Sequence, residues 1–299
     1  MTKITVIGVG NLGAQIAYDI AVRSLADELV LMDIFKDLVE GQALDIQQAL
    51  PFKNKTKIIF GSDDYSLIKN SEVIVLTAGK PRTPDMKDRL ELAEINVKIV
   101  TSIIAEIKKF SPNSIIITIT NPMDIINRFI YLSGFTREHV IGSGGQLDSA
   151  RLRTILGCPE KEVEAFVIGE HGSDQIPVFS RMKIDGQVVF FSPDEEEKIK
   201  EELRQSAIKV IEKKKATIFA PASNTVDMVE AIVKDKKELL VCSVNLAGEF
   251  GLYDVSIGVP CILGKKGVEK VVEWELDQEE RAELKKTAEK LKDFYSQLK

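Results

Sequence analysis

The sequence predicts an α/β protein: a doubly wound parallel sheet in its first half and a second, α+β half. Apolar strand-like runs alternate with segments of helical length as far as residue 142. Alternation of that kind makes a parallel sheet with helices on both faces. A glycine cluster, Gly142-Ser143-Gly144-Gly145, then interrupts the pattern, and beyond it hairpin-like strands lie between long charged helices. The boundary is expected at that cluster, giving residues 1–142 and 143–299 as the two domains.

In the first half, strands are expected near 3–7, 28–32, 57–60, 72–77, 115–119 and 139–142, with helical segments at 14–24, 36–49 and 91–110. The last of these places Leu92, Ile95, Ile99, Ile103, Ile104 and Ile107 at helical spacing, and Ser111-Pro112-Asn113 stops it. In the second half, helices are expected at 147–156, 194–215, 222–234 and over the last twenty residues. Strands are expected near 163–169, 182–190, 239–247 and 256–263, with Asp185-Gly186 as a turn.

The first strand runs straight into Gly8-Val9-Gly10-Asn11-Leu12-Gly13, and the second ends on Asp33. Each part has a task when the ligand is a dinucleotide. Gly8 allows a sharp turn, Gly10 lets the backbone approach a pyrophosphate, and Gly13 lets helix and strand pack closely. The free N–H groups of the following helix face the phosphates. Asp33 can accept hydrogen bonds from both ribose hydroxyls, and its charge favours NAD over NADP. Strand, glycines, helix and acid together predict a Rossmann-type doubly wound sheet.

A net charge of −6 gives no footprint for nucleic acid or an anionic membrane. The one compact basic run, Lys213-Lys214-Lys215, reads as a solvated helix face. No apolar run approaches the roughly eighteen residues of a membrane span, and the first strand begins too early for a leader peptide. Cys158, Cys242 and Cys261 are widely spaced and form no CxxC. That suits reduced thiols in a cytoplasm, with no metal site.

The chain has only two histidines. His139, in Arg137-Glu138-His139-Val140, reads as structural or exposed. His171 lies between glycines in Gly169-Glu170-His171-Gly172, at a bend after a strand, where an imidazole can reach into a cleft. Asp148 and Arg151 sit three apart on one helix. They form either a plain intrahelical ion pair, or a site in which Asp148 accepts the His171 ring N–H while Arg151 holds an anionic substrate. The residues alone leave both readings open. After Thr77-Ala78-Gly79, the segment Lys80 to Arg89 carries two prolines and six charges at a ligand-binding strand end, as lids do. Its Arg82 and Arg89 can each bring a guanidinium to an anion. Asn121, in Thr120-Asn121-Pro122, offers a donor and an acceptor at another such strand end, or simply marks a turn.

Together these segments resemble the lactate/malate dehydrogenase family over essentially the whole chain. The motifs are Gly8-x-Gly10-x-x-Gly13 with Asp33, Thr77-Ala78-Gly79 with its arginine loop, Thr120-Asn121-Pro122, Leu147-Asp148-Ser149-Ala150-Arg151 and Gly169-Glu170-His171-Gly172. Thr217-Ile218-Phe219-Ala220-Pro221-Ala222 also looks like the family's segment beside the active site. The resemblance implies that His171 moves the proton with Asp148 bonded to it, that Arg151 grips the carboxylate beside the reacting carbon, and that Arg89 polarises the carbonyl. It implies Asn121 against nicotinamide or substrate, with a cis bond before Pro122. Gly8, Gly10, Asn11, Leu12, Gly13, Asp33, Asn96 and Asn121 are the expected NAD-binding residues.

Arg82 looks like the malate type of loop, where lactate enzymes tend to carry Gln. A second substrate carboxylate buried without a cation would be costly. Two departures stand out: the loop is one residue longer than the family's spacing between Arg82 and Arg89, and Lys215 stands where a glycine is common. The expected reaction is reversible hydride transfer between malate and NAD, giving oxaloacetate and NADH, in the tricarboxylic acid cycle of the cytoplasm. A homodimer or homotetramer is implied. The rival readings are a dehydrogenase of lactate or another 2-hydroxy acid, and a catalytically silent NAD-binding protein.

Overall fold

Continuous apolar strands need cover on both faces, and the first half supplies it. In the computed structural model, which describes residues 1–50, 55–81, 89–157 and 161–298, six strands lie parallel. They are β1 (Lys3–Ile7), β2 (Glu28–Met32), β3 (Lys57–Gly61), β4 (Val73–Leu76), β5 (Ile115–Thr118) and β6 (Val140–Gly142), in the order β3-β2-β1-β4-β5-β6. β4 and β5 are buried throughout; each buried aliphatic side chain contributes about 1.5–3 kcal/mol. Helices α1 (Asn11–Val22) and α2 (Lys36–Ala49) cover one face, while α3 (Arg89–Phe110) and α4 (Met123–Leu132) cover the other. The strand order reverses at β1, between β2 and β4. Ligands bind at such a point, beyond the carboxyl ends of the strands.

The second half opens with α5 (Gly144–Ile155), followed by the short strands β7 (Val163–Glu164), β8 (Val167–Gly169), β9 (Gln175–Pro177), β10 (Lys183–Ile184) and β11 (Gln187–Val188). Helices α6 (Pro193–Lys214) and α7 (Phe219–Val233) lead to the long strands β12 (Glu238–Ala247) and β13 (Tyr253–Gly264). β14 (Gly267–Val271) pairs with β13, and α8 (Gln278–Ser296) ends the chain. β12, β13, β8 and β9 extend the first sheet beyond β6, antiparallel to it, through a single pairing of Ser243 with Gly142. The α+β expectation for this half holds. The run 163–169 is split, however: β7 belongs to a small sheet with β10 and β11, whereas β8 joins the large one. Asp185 and Gly186 make the β10–β11 turn, both with positive φ, which an Asp-Gly pair tolerates.

Gly144 and Gly145 are no flexible linker, because they are buried as the first residues of α5. A Cβ on Gly145 would stand 2.5 Å from the Val241 side chain, and one on Gly144 would collide with His171. Ser192 and Asp277 cap α6 and α8 through reciprocal bonds with Glu195 and Glu280. Among the described residues no helix is long and apolar enough to cross a membrane.

Candidate active site

The glycine loop joins β1 to α1 at the reversal point. Gly8 has φ +93°, and a Cβ there would come 2.5 Å from the Ala78 nitrogen. A Cβ on Gly13 would run into the Gly8 carbonyl oxygen, whereas one on Gly10 meets nothing within 4 Å. The three glycines therefore differ: two are needed for packing, and the third leaves space in front of the loop. α1 begins at Asn11 with no acid in its first turn, so the helix dipole and free amides of Asn11 and Leu12 can meet an anion. Asp33 lies beside the loop, its Oδ2 accepting from the Val9 N–H at 2.8 Å and its Oδ1 from the Phe35 N–H at 3.1 Å. Ile34 and Phe35, which follow it, are exposed. Open space at Gly10, unpaired amides and an acid one strand away fit a dinucleotide.

Three strand-end loops are laced together beside this cradle. The Thr77 hydroxyl donates to the Gly8 carbonyl, and that of Thr120 to the Ala78 carbonyl at 2.8 Å. The Asn96 side chain accepts from the Lys80 N–H at 2.7 Å and donates to the Lys80 and Asn121 carbonyls at 3.1 and 2.7 Å. Asn96 is buried with both amide donors spent, so it has none left for a ligand and acts instead as a tie between loops. Asn121 has an exposed side chain and precedes a cis peptide bond to Pro122. Arg82 lies outside the described residues. Arg89 is the first residue of α3.

His171 and Asp148 meet. The ring Nδ1 stands 2.8 Å from Asp148 Oδ2, and Arg151 donates to Oδ1 of the same carboxylate at 3.0 Å. Asp148 thus makes both contacts, bridging the imidazole and the guanidinium. Local chemistry explains the placement. The Ser149 hydroxyl donates to the Gly145 carbonyl at 2.7 Å and accepts from the Val167 N–H at 3.0 Å, fixing α5 against β8. β8 ends at Gly169, which has φ +93°, and the turn delivers His171 over Gly144. Only a residue without a side chain fits beneath the ring at Gly144.

Asp148 is 1% exposed. Burial alone would raise its pKa, but the neighbouring imidazole and Arg151 outweigh that and hold it below the ordinary carboxylate range. Burial pushes the His171 imidazole down, Asp148 pushes it up, and the net shift is upward. With Nδ1 bonded to the carboxylate, Nε2 is the nitrogen left to exchange a proton with a substrate. His139 takes no part: it is half-buried before β6, and burial lowers its pKa.

Sequence reasoning passed over Asp124, in the first turn of α4. It is 2% exposed and its Oδ2 accepts from the backbone N–H of His171 at 2.8 Å. An acid in a first helical turn is common, so its spacing carried no signal of burial. Among the described residues no cluster of His, Cys, Asp and Glu could hold a metal ion.

A dinucleotide cradle joined to a buried carboxylate–imidazole pair defines a nicotinamide-dependent dehydrogenase. The chain belongs to the lactate/malate dehydrogenase family: the family's NAD-binding domain matches residues 2–142 and its α/β C-terminal domain residues 145–299. A malate dehydrogenase of Halobacterium salinarum is 43% identical, covering 100% of both chains, and one of Pelagibacter ubique is 39% identical over 95% of this chain and 93% of its own. Among solved structures, malate dehydrogenase from Archaeoglobus fulgidus in complex with NADH superposes with a TM-score of 0.92 at 37% identity, covering 99% of each chain.

Proposed function

We infer that the chain is an NAD-dependent malate dehydrogenase, interconverting malate and oxaloacetate. The observation that carries this is Asp148, which holds the His171 imidazole at 2.8 Å on one oxygen and Arg151 at 3.0 Å on the other. A nicotinamide bound at the cradle supplies the acceptor or donor of hydride. The protein supplies the rest. In malate oxidation, neutral His171 donates Nδ1–H to Asp148 and takes the hydroxyl proton on Nε2; the imidazolium that results is stabilised by the buried carboxylate. In the reverse direction that proton returns to the carbonyl oxygen. Such positioned transfer contributes roughly 10²–10⁴ in rate.

Arg151 has five N–H donors, and one bond to Asp148 leaves others for the substrate carboxylate next to the reacting carbon. We assign Arg82 to the second carboxylate and Arg89 to the carbonyl oxygen, on the family's loop pattern. Gly8, Gly10, Asn11, Leu12 and Gly13 would carry the pyrophosphate, Asp33 the ribose, and Ile34 with Phe35 an apolar flank for adenine. Asn121 would meet the nicotinamide. The cofactor would lie on residues 1–142 and the proton-transfer groups on 143–299, as the domain division expected from the sequence requires. A cytoplasmic homo-oligomer serving the tricarboxylic acid cycle is the setting we propose. Exposed Leu44, Ile208, Ile211 and Phe219 support the oligomer, and the unpaired thiols of Cys242 and Cys261 suit a reducing compartment.

The deciding measurement is NADH oxidation with oxaloacetate and with pyruvate, side by side. Turnover with oxaloacetate at least a hundredfold better than with pyruvate is expected. Equal rates would make the chain a general 2-hydroxyacid dehydrogenase, and none with either would leave a silent NAD-binding protein.

A further inference from the structure

Asp124 is a buried acid to which the reaction above gives no task. It belongs to the first half of the chain and His171 to the second, yet the Asp124 Oδ2 accepts from the His171 backbone N–H at 2.8 Å. The other oxygen, Oδ1, is fully buried, and the buried Ser243 hydroxyl of β12 is the side-chain donor that faces this carboxyl. A neutral amide or hydroxyl could cap one backbone N–H at far smaller desolvation cost. A carboxyl kept buried there calls for a reason beyond that bond.

The charged groups around it are few. On the turn after β8 stand Glu170, whose charge opposes that of Asp124, and His171, whose charge favours it. Asp148 of α5 meets the imidazole at Nδ1, and Arg151 is engaged with Asp148. Lys290 of α8 is engaged with Asp174 at 2.6 Å, and Arg128 of α4 with Asn245 and Asp254. Lys108 of α3 donates to the Ser133 carbonyl past the opposite end of α4, at 2.6 Å. β5 and β6 bring no titratable side chain. Among the described residues, His171 is therefore the cation that Asp124 faces.

We propose that Asp124 is a second positioning carboxylate for His171, tying down its backbone across the junction of the two halves and favouring, by its charge, the imidazolium that oxaloacetate reduction consumes. Asp148 governs the ring through Nδ1, and Asp124 governs the backbone and the local field. Burial raises the Asp124 pKa to about 7, with the Ser243 hydroxyl and the His171 contacts pulling against it, so its ionisation and that of the imidazole are linked. This inference rests on the dehydrogenase reading.

Asp124→Asn tests it. The amide oxygen can still accept from the His171 N–H, so shape and bond survive while the charge is lost. With only two histidines in the chain, an NMR titration resolves both rings. The His171 midpoint should move to lower pH and that of His139 should stay. In steady state, kcat/KM for oxaloacetate should fall about tenfold at the alkaline end of the profile, as a one-unit displacement dictates. Malate oxidation should gain at the acid end, and Asp124→Glu, which restores the charge, should recover part of the shift. An unmoved His171 midpoint in folded Asp124→Asn overturns the proposal. Should that variant not fold, the wild type decides: its His171 resonance must report two ionisations, and a single-step titration overturns the proposal. A wild type that binds NADH but does not turn over oxaloacetate defeats the dehydrogenase reading instead, and the NMR midpoint still judges Asp124.

Discussion

Replacing Asp148 by Asn removes one oxygen from a carboxylate that uses both. An amide cannot serve both neighbours. If its oxygen faces Arg151, its NH₂ faces Nδ1 of His171, which must then be the unprotonated nitrogen. The proton is then fixed on Nε2, where malate's hydroxyl proton has to arrive. If instead the oxygen accepts from Nδ1–H, the NH₂ points at the Arg151 donor that had stood 3.0 Å from the carboxylate, and the guanidinium is displaced. Either way one partner of a buried pair is lost, at a cost of about 3–5 kcal/mol. That corresponds to a fall in kcat/KM of roughly 10²–10⁴. The assay is NADH oxidation with oxaloacetate, paired with fluorescence titration of NADH on the variant. Turnover should collapse while NADH affinity stays within about twofold, since Asp148 touches none of the cradle. A loss of activity below tenfold would refute the bridging role and return Asp148 to a plain ion pair with Arg151.

The remaining predictions concern other parts of the molecule. Gly10→Ala should leave the melting temperature unchanged and weaken NADH binding at least tenfold, because a Cβ meets only open space; Gly13→Ala should instead destabilise the fold, by the backbone clash with Gly8. Lys215 occupies the left-handed C-cap of α6 at φ +74°, so Lys215→Gly should raise stability by about 1 kcal/mol in urea titrations. Arg82→Gln should move selectivity from oxaloacetate toward pyruvate, read as a ratio of kcat/KM values; an unchanged ratio would remove Arg82 from substrate choice. The Asp148–His171 pair should also mark stability against pH. The raised His171 contributes fully below its unfolded value of about 6.5 and loses that contribution as pH rises through its folded value. The depressed Asp148 contributes above about 3.8 and loses it as pH falls further. The melting-temperature gap between wild type and Asp148→Asn should therefore be widest between about pH 4 and 6.5.

The parallel sheet was legible because each strand is a short apolar run closed by turn residues, and α2 falls on the very residues 36–49 that spacing implied. What escaped notice was local structure whose cause is tertiary. α4 was not foreseen: Asn121-Pro122 reads as a turn, and the helix that follows declares itself only by what it packs against. α1 begins three residues before the helical stretch read from position 14, because the glycine motif itself forms its first turn. Gly144 and Gly145 mark a domain boundary in sequence, yet it is the close approach of His171 and Val241 that requires them. The reason a glycine suits the position of Lys215 lies in its left-handed backbone angle, which the string does not display. Within the site, residue type and spacing left Asp148 open between an ion pair with Arg151 and a partner for His171, and only the family resemblance joined it to the imidazole. Asp124 was passed over, since nothing in a linear string separates a buried first-turn acid from a solvated one.

The junction of β6 with β12 also bears on recombination. The imidazole is hung from one half of the polypeptide by its main chain and steered from the other by its ring, so the proton-handling group straddles the seam between them. Hybrids that fuse the nucleotide half of one relative to the substrate half of another at this seam inherit an acid and a histidine never selected together. Their performance should track how well that crossing hydrogen bond is rebuilt, more than how well either parent works alone.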